Sequence, residues 1–283
     1  MHRRFAQVDV FTAVPLYGNP LAVVLDGSGL DDAQMARLAR WTQLSETTFL
    51  LPPTPQAAAA GADYRVRIFF PQGELPFAGH PTLGSCHAWL AAGGRPQSAD
   101  VIVQECGVGL VRIRRSAMGR LAFAAPPRVR SDALGEDRIT ALAAAVNLPR
   151  DAVLAGAWCD NGPGWEGLLL DSAERVLAAR PDASRLAGIK LGLVGRQTAA
   201  SETQFEVRAF FPGNNGVAED PVTGSLNAAL AQWLVGAGIA PHRYVAAQGT
   251  AMGRAGRVHV DTEDGQIWIG GDVVPVIDGS IAL

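Results

Sequence analysis

At 283 residues the chain exceeds one compact domain of about 100–150 residues and is comfortable for two. Apolar residues make up 48% and charged residues 18%, enough for an ordinary core and too few charges for long disordered tails. The formal net charge is −3 and the arginines are scattered rather than gathered into a stripe, so the footprint of a nucleic-acid binder is missing and a small-molecule partner is the expectation.

From the start of the chain, residues 5–11 and 21–25 read as strands joined by a turn at Tyr17-Gly18-Asn19-Pro20. A helix follows, capped by Asp31 or Asp32, with Met35, Leu38, Ala39 and Leu44 at helical spacing up to a turn at Ser45. Strands are expected at 47–51, 64–70, 101–104, 109–114 and 121–124. Ala125-Pro126-Pro127 then breaks the pattern, which divides the chain into a lobe over 1–125, completed by 276–283, and a lobe over 126–275. In the second lobe helices are expected at 137–147 and 172–179, strands at 167–170, 190–194 and 206–211, and a glycine-broken strand region at 266–281.

No window reaches the roughly 18 apolar residues of a membrane span, and the first residues lack the apolar stretch of a signal peptide, so a cytoplasmic protein with no membrane partner is expected. The three cysteines, Cys86, Cys106 and Cys159, form no CxxC pair and read as structural thiols. Walker, dinucleotide-binding, nucleophile-elbow and zincin signatures are absent, and His2, His87, His242 and His259 share no ligand-like spacing. No metal and no cofactor are expected.

An internal repeat carries the functional reading. Tyr64-Arg65-Val66-Arg67-Ile68-Phe69-Phe70-Pro71 matches Phe205-Glu206-Val207-Arg208-Ala209-Phe210-Phe211-Pro212 at an offset of 141 (205 minus 64). His80-Pro81-Thr82-Leu83-Gly84-Ser85 matches Asp220-Pro221-Val222-Thr223-Gly224-Ser225 at an offset of 140 (220 minus 80). Each copy runs on into an Ala/Leu/Trp-rich helix, over 86–92 and 226–235, expected to be buried on all sides. Each also places a titratable side chain, His80 or Asp220, before a proline, where an N-cap-like position is expected. A helix start offers unpaired N–H groups, and Gly84-Ser85 and Gly224-Ser225 would let ligand oxygens approach that backbone, an arrangement suited to a carboxylate. Glu46, in Ser45-Glu46-Thr47-Thr48, is placed by pattern alone in a polar turn; if a cleft desolvated it, it would be a base able to accept and return a carbon-bound proton.

Four segments, Gly18-Asn19-Pro20-Leu21-Ala22-Val23, Ser45-Glu46-Thr47-Thr48-Phe49, Glu74-Leu75-Pro76-Phe77-Ala78-Gly79-His80-Pro81 and Glu219-Asp220-Pro221-Val222-Thr223-Gly224-Ser225, together resemble the phenazine-biosynthesis PhzF-like family. The resemblance implies an α+β diaminopimelate epimerase-like fold: two pseudo-symmetric lobes, each a mixed sheet wrapped around a buried central helix, with the active site between them. It implies a cofactor-free isomerase that moves a proton between carbons of a small carboxylic acid, as in isomerisation of trans-2,3-dihydro-3-hydroxyanthranilate. Glu46 stands at that family's acid/base, with His80, Asp220 and Ser225 at its other catalytic positions; Asn19, Ser45, Gly79, Gly84, Ser85 and Gly224 would line the substrate pocket. A homodimer is expected from the same resemblance. This chain reads Glu219-Asp220-Pro221-Val222-Thr223-Gly224-Ser225-Leu226, whereas the phenazine enzyme has small alanines after the aspartate and after the serine, so the resemblance extends to a small acid rather than to one substrate. The competing readings are a non-catalytic small-acid-binding protein on the same fold, and a racemase or epimerase of another amino acid. A two-thiol version of the latter is disfavoured because Cys86 has the apolar Leu226 as its counterpart.

Overall fold

Segments whose apolar residues alternate can satisfy their backbone only by pairing, and in the computed structural model, which describes residues 2–213 and 216–283, they do so within two units. One unit runs through Ala124 and takes back Gly270–Leu283; the other is Ala125–Ile269. The return expected at 276 comes earlier, at Gly270, inside a strand over 266–271 and ahead of the last strand, which begins at Val273.

The first unit comprises β1 (His2–Val10), β2 (Asn19–Val24), α1 (Asp32–Thr42), β3 (Thr47–Leu51), α2 (Pro55–Ala59), β4 (Tyr64–Phe70), β5 (Gly73–Leu75), α3 (Gly79–Ala91), β6 (Val101–Cys106), β7 (Gly109–Arg115) and β8 (Leu121–Ala124). Asp31 opens α1 with a capping box shared with Gln34, and Gln43 in the left-handed region (φ 57°) closes it. Met35, Leu38 and Ala39 bury the inner face of α1 among Val24, Phe49 and Phe69. Helix α3 has no polar face to offer water. It packs against β1, β2, β3, β6 and β8 and against the C-terminal strand that returns to pair with β1. That return is pinned where Asp272 receives both Nε and Nη2 of Arg120 at 3.1 Å and its carbonyl accepts the Thr12 N–H.

The second unit comprises α4 (Glu136–Ala145), β9 (Val153–Cys159), β10 (Trp165–Leu170), α5 (Ala173–Ala178), β11 (Lys190–Arg196), β12 (Phe205–Gly213), β13 (Gly216–Glu219), α6 (Gly224–Gly236), β14 (Arg243–Gln248), β15 (Gly256–Glu263) and β16 (Gln266–Gly271), the last running on into the first unit before β17 (Val273–Ala282). Strand β10 is buried along its whole length, as expected of a strand with a parallel neighbour and helices on its faces. Helix α6 lies so close to the sheet that a Cβ on Gly192 of β11 would meet Leu226 Cδ1 at 2.4 Å. Leu142, Val146, Leu168, Leu191, Leu193 and Phe210 belong to the core of this unit.

The pairing order recurs. In the first unit β1–β2 is antiparallel, β2–β3 parallel, β3–β4 and β4–β5 antiparallel, β4–β6 parallel and β6–β7 antiparallel. In the second, β9–β10 is antiparallel, β10–β11 parallel, β11–β12 and β12–β13 antiparallel, β12–β14 parallel and β14–β15 antiparallel. The long apolar helix follows the short hairpin strand in both, α3 after β5 and α6 after β13.

The two helix starts differ from the sequence reading. Neither His80 nor Asp220 is an N-cap: Ala78 caps α3, which places His80 inside its first turn, and Thr223 caps α6, three residues after Asp220. Pro81 allows the early start because it is the third residue of α3, still in the turn whose N–H groups have no intrahelical acceptor. Gly84 and Ser85 consequently sit in the second turn of α3. They form no approach for ligand oxygens: a Cβ on Gly84 would meet Leu21 Cδ2 at 2.6 Å, Val10 Cγ2 at 2.9 Å and Val8 Cγ2 at 3.1 Å, and the Ser85 hydroxyl donates to Thr48 Oγ1 at 2.9 Å. Gly84→Ala therefore gains about 1 kcal/mol of helix propensity but pays about 1–3 kcal/mol of overpacking. Urea unfolding should show a net loss of stability, and a variant at least as stable as the parent would show that β1 and β2 yield.

Candidate active site

Glu46 occupies the short link between α1 and β3, and His80 the first turn of α3. Both elements belong to the first unit, and they bring Glu46 Oε2 to 3.4 Å from His80 Nε2, with the side chains 15% and 6% exposed. Glu46 is thus withdrawn from bulk water, although the polar turn around it gave no sign of that, while its neighbour Ser45 stays exposed. Gly79, the first residue of α3, is buried beside His80.

The other side of the imidazole is supplied by the turn before β2. Asp9 Oδ2 accepts the Gly18 N–H at 2.9 Å, and a Cβ on Gly18 would lie 2.3 Å from the Val10 carbonyl oxygen, so only glycine lets the chain pass. The turn delivers Asn19, fully buried, with Nδ2 3.5 Å from His80 Nδ1. Burial pushes the His80 pKa down from 6.5 to about 3, opposed by a hydrogen bond with the Pro20 backbone. At neutral pH the imidazole is therefore uncharged, and its contact with Glu46 is not an ion pair. A neutral ring can donate to a carboxylate through one tautomer and accept from a carboxylic acid through the other, so it suits a glutamate that changes protonation state.

In the second unit Asp220 and Ser225 flank the start of α6. Asp220 Oδ2 accepts the Thr223 hydroxyl at 2.6 Å. Ser225 Oγ accepts Trp165 Nε1–H at 3.0 Å, which leaves the serine's own hydrogen to be donated, and its carbonyl is held by Asn161 Nδ2 at 2.9 Å. Gly224, the first residue of α6, is buried. Three supporting residues, Trp165, Thr223 and Gln248, were not named as site residues from the sequence: none titrates at neutral pH, and only Thr223 falls inside one of the motifs quoted above. The nearest thing to a signal was that Thr223 lies inside the repeat.

The thiols stand apart from this chemistry. Cys86 is completely buried in α3 and burial raises its pKa to about 12, as it does for Cys159, so neither is a base at neutral pH. Among the described residues no group of three or more His, Cys, Asp or Glu side chains could hold a metal ion, and no helix is long and apolar enough to cross a membrane.

A family model for PhzC–PhzF, described as phenazine biosynthesis-like protein, matches residues 8–279. The chain belongs to this family. It is 34% identical over 317 residues to an uncharacterised isomerase of Mesorhizobium japonicum, covering 99% of each chain. Antisense-enhancing sequence 1 of Schizosaccharomyces pombe is 32% identical over 299 residues, with 97% of each covered. Trans-2,3-dihydro-3-hydroxyanthranilate isomerase of Pseudomonas fluorescens is 33% identical over 234 residues, which is 82% of this chain and 79% of that one. The crystal structure of a PhzF-family protein from Bacillus anthracis superposes with a TM-score of 0.82 over the whole of both chains at 21% identity. A hydroxyproline epimerase from Agrobacterium vitis does so at 0.57 and 12% identity, covering 100% of this chain and 93% of that one, a likeness of fold alone. The mixed α+β fold of the family is thus one shared with epimerases.

A depressed histidine pKa has a consequence for stability. Above pH 6.5 His80 is neutral folded or unfolded and exerts no pH dependence. Below 6.5 the unfolded chain takes up a proton that the folded chain refuses until about pH 3, so stability falls through that window. His80→Gln should flatten the acid limb of melting temperature against pH between 6.5 and about 3; an unchanged slope would mean that His80 charges readily in the fold.

Proposed function

We propose that the protein is a PhzF-like, cofactor-independent isomerase that moves a proton between carbons of a small carboxylic acid, with Glu46 as the acid/base. The supporting observation is the withdrawal of Glu46 from water against a neutral imidazole 3.4 Å away. A carboxylate in bulk water is too weak and too well solvated a base to take a proton from carbon; one that has lost its water has more to gain by accepting a proton and can hand it back at a second carbon. The relatives named as isomerases, including the dihydro-hydroxyanthranilate isomerase of Pseudomonas fluorescens, favour the same reaction class.

In this reading His80 stands against the glutamate as an uncharged neighbour, its Nε2 3.4 Å from Oε2. Asn19 and the Pro20 backbone hold the ring in place from the turn before β2. In this reading Asp220 and Ser225 are the polar groups that the second unit offers to a small acid, the serine by donating its remaining hydrogen and the aspartate by accepting from an amino or hydroxyl group. The same reading takes the repeated strand order as two pseudo-equivalent lobes, each built about its apolar helix, α3 or α6. The neutral, inaccessible Cys86 thiol disfavours a racemase that works through a thiol pair.

The test is to incubate the protein in heavy water with trans-2,3-dihydro-3-hydroxyanthranilate and related cyclic amino or hydroxy acids. The parent should place solvent deuterium on carbon. Glu46→Gln should lose at least about a hundredfold in that exchange, the lower range for general acid–base catalysis, while still binding the acid. Exchange by Glu46→Gln at the parent's rate would overturn the role of Glu46, and binding without exchange by either protein would make it a binding module.

A further inference from the structure

We propose that Gln248 is a positioning residue that aims the Asp220 carboxylate through the hydroxyl of Thr223. The inference rests on the reading of Asp220 as a substrate-facing group, and it adds to that site the device that orients it. Gln248 ends β14 and is 1% exposed. Its side-chain amide has two hydrogens and two acceptor positions, and all four are used. Nε2 donates to the Asp220 carbonyl at 3.1 Å and to Thr223 Oγ1 at 2.9 Å. Oε1 accepts the Thr223 N–H at 3.1 Å and Asn227 Nδ2–H at 2.7 Å. The amide thus has a single orientation, because a flip would set donor against donor at Thr223 N and at Asn227.

That orientation decides where the threonine hydrogen goes. Thr223 Oγ1 already receives a hydrogen from Gln248, so its own hydrogen must point elsewhere, and it meets Asp220 Oδ2 at 2.6 Å. One carboxylate oxygen is thereby tied, and the main chain of the same residue is held by the same glutamine. A purely structural cap would need only the bond from Thr223 N to Gln248. The second donor, passed on through a hydroxyl to a carboxylate, is surplus to that purpose, and the Thr223 side chain makes no cap bond of its own. The chain also leaves Gln248 in a way that keeps it close to the site. Gly249 has φ +88°, and a Cβ there would lie 2.7 Å from the Pro221 carbonyl oxygen.

The experiment compares Thr223→Val, Thr223→Ser, Gln248→Met and the double variant Thr223→Val with Gln248→Met. Each is assayed for kcat and KM with trans-2,3-dihydro-3-hydroxyanthranilate and examined by crystallography. Thr223→Val, which removes the one hydrogen bond to the carboxylate, should lower kcat about tenfold with KM within about twofold, and Gln248→Met, which removes all four bonds of the amide, should lower kcat at least as much. Thr223→Ser should keep the parent's kcat, and the double variant should lose no more than the worse single one, since both break the same chain. Parent-like kcat in Thr223→Val, or a serine variant as impaired as the valine one, would overturn the inference; should Gln248→Met fail to fold, the threonine pair decides. If the parent does not turn over this acid, the functional reading fails separately and the crystal structures decide. An Asp220 carboxylate that rotates in the valine and methionine variants but not in the serine variant supports the positioning role, and one that stays put in all of them refutes it.

Discussion

A carboxyl group and an imidazole held 3.4 Å apart with little water around them constrain everything else in the first unit. Removing a carboxylate from water costs free energy that must be returned by neighbouring dipoles, and removing an imidazole from water favours its neutral form. The fold meets both conditions with backbone geometry: a left-handed Gln43 ends α1 just short of Glu46, and α3 starts early enough to bring His80 inside its first turn. The ring is then backed by Asn19, whose turn exists only because Gly18 can pass the Val10 carbonyl and be held by Asp9. Burial of the pair is thus a property of three chain segments acting together.

The second unit solves a different problem with the same strand order. Its long apolar helix begins at Gly224, five positions later in the repeat than α3, and Pro221, Val222 and Thr223 remain outside the helix. The side chain of Gln248 accepts the Thr223 N–H ahead of the helix. A shared architecture therefore presents a buried neutral ring on one helix start and a hydrogen-bonded carboxylate ahead of the other.

Much of this was legible in the sequence because the relevant signals are local. Alternation in Tyr64–Phe70 and Leu121–Ala124 marks the strands at their observed bounds, and Asp31 with helical spacing of Met35, Leu38 and Ala39 marks α1. The repeat locates both apolar helices. The sequence reading names no strand at Val153–Cys159, where Ala and Gly dilute the β signal, nor at Gly256–Glu263, where Val258 and Val260 do alternate with exposed or half-exposed neighbours. It also misplaces both helix starts, since a proline signals the first turn of a helix without saying which of its first positions it fills. For the site, Glu46 and His80 were named by resemblance, but the distance between them and their burial follow from tertiary packing. Gln248 was invisible for the same reason: it lies 25 residues from Thr223 in the chain.

The most direct test of this account is the ionisation of His80 itself, followed through the ring nitrogen resonances of 15N-labelled protein as pH is lowered from neutral. A neutral imidazole that persists down to about pH 4 is the predicted result, because burial holds the group near pH 3. An imidazolium already formed at about pH 6 would contradict it: His80 and Glu46 would then be an ordinary ion pair, with the carboxylate pinned by charge and poorly placed to take a proton from carbon.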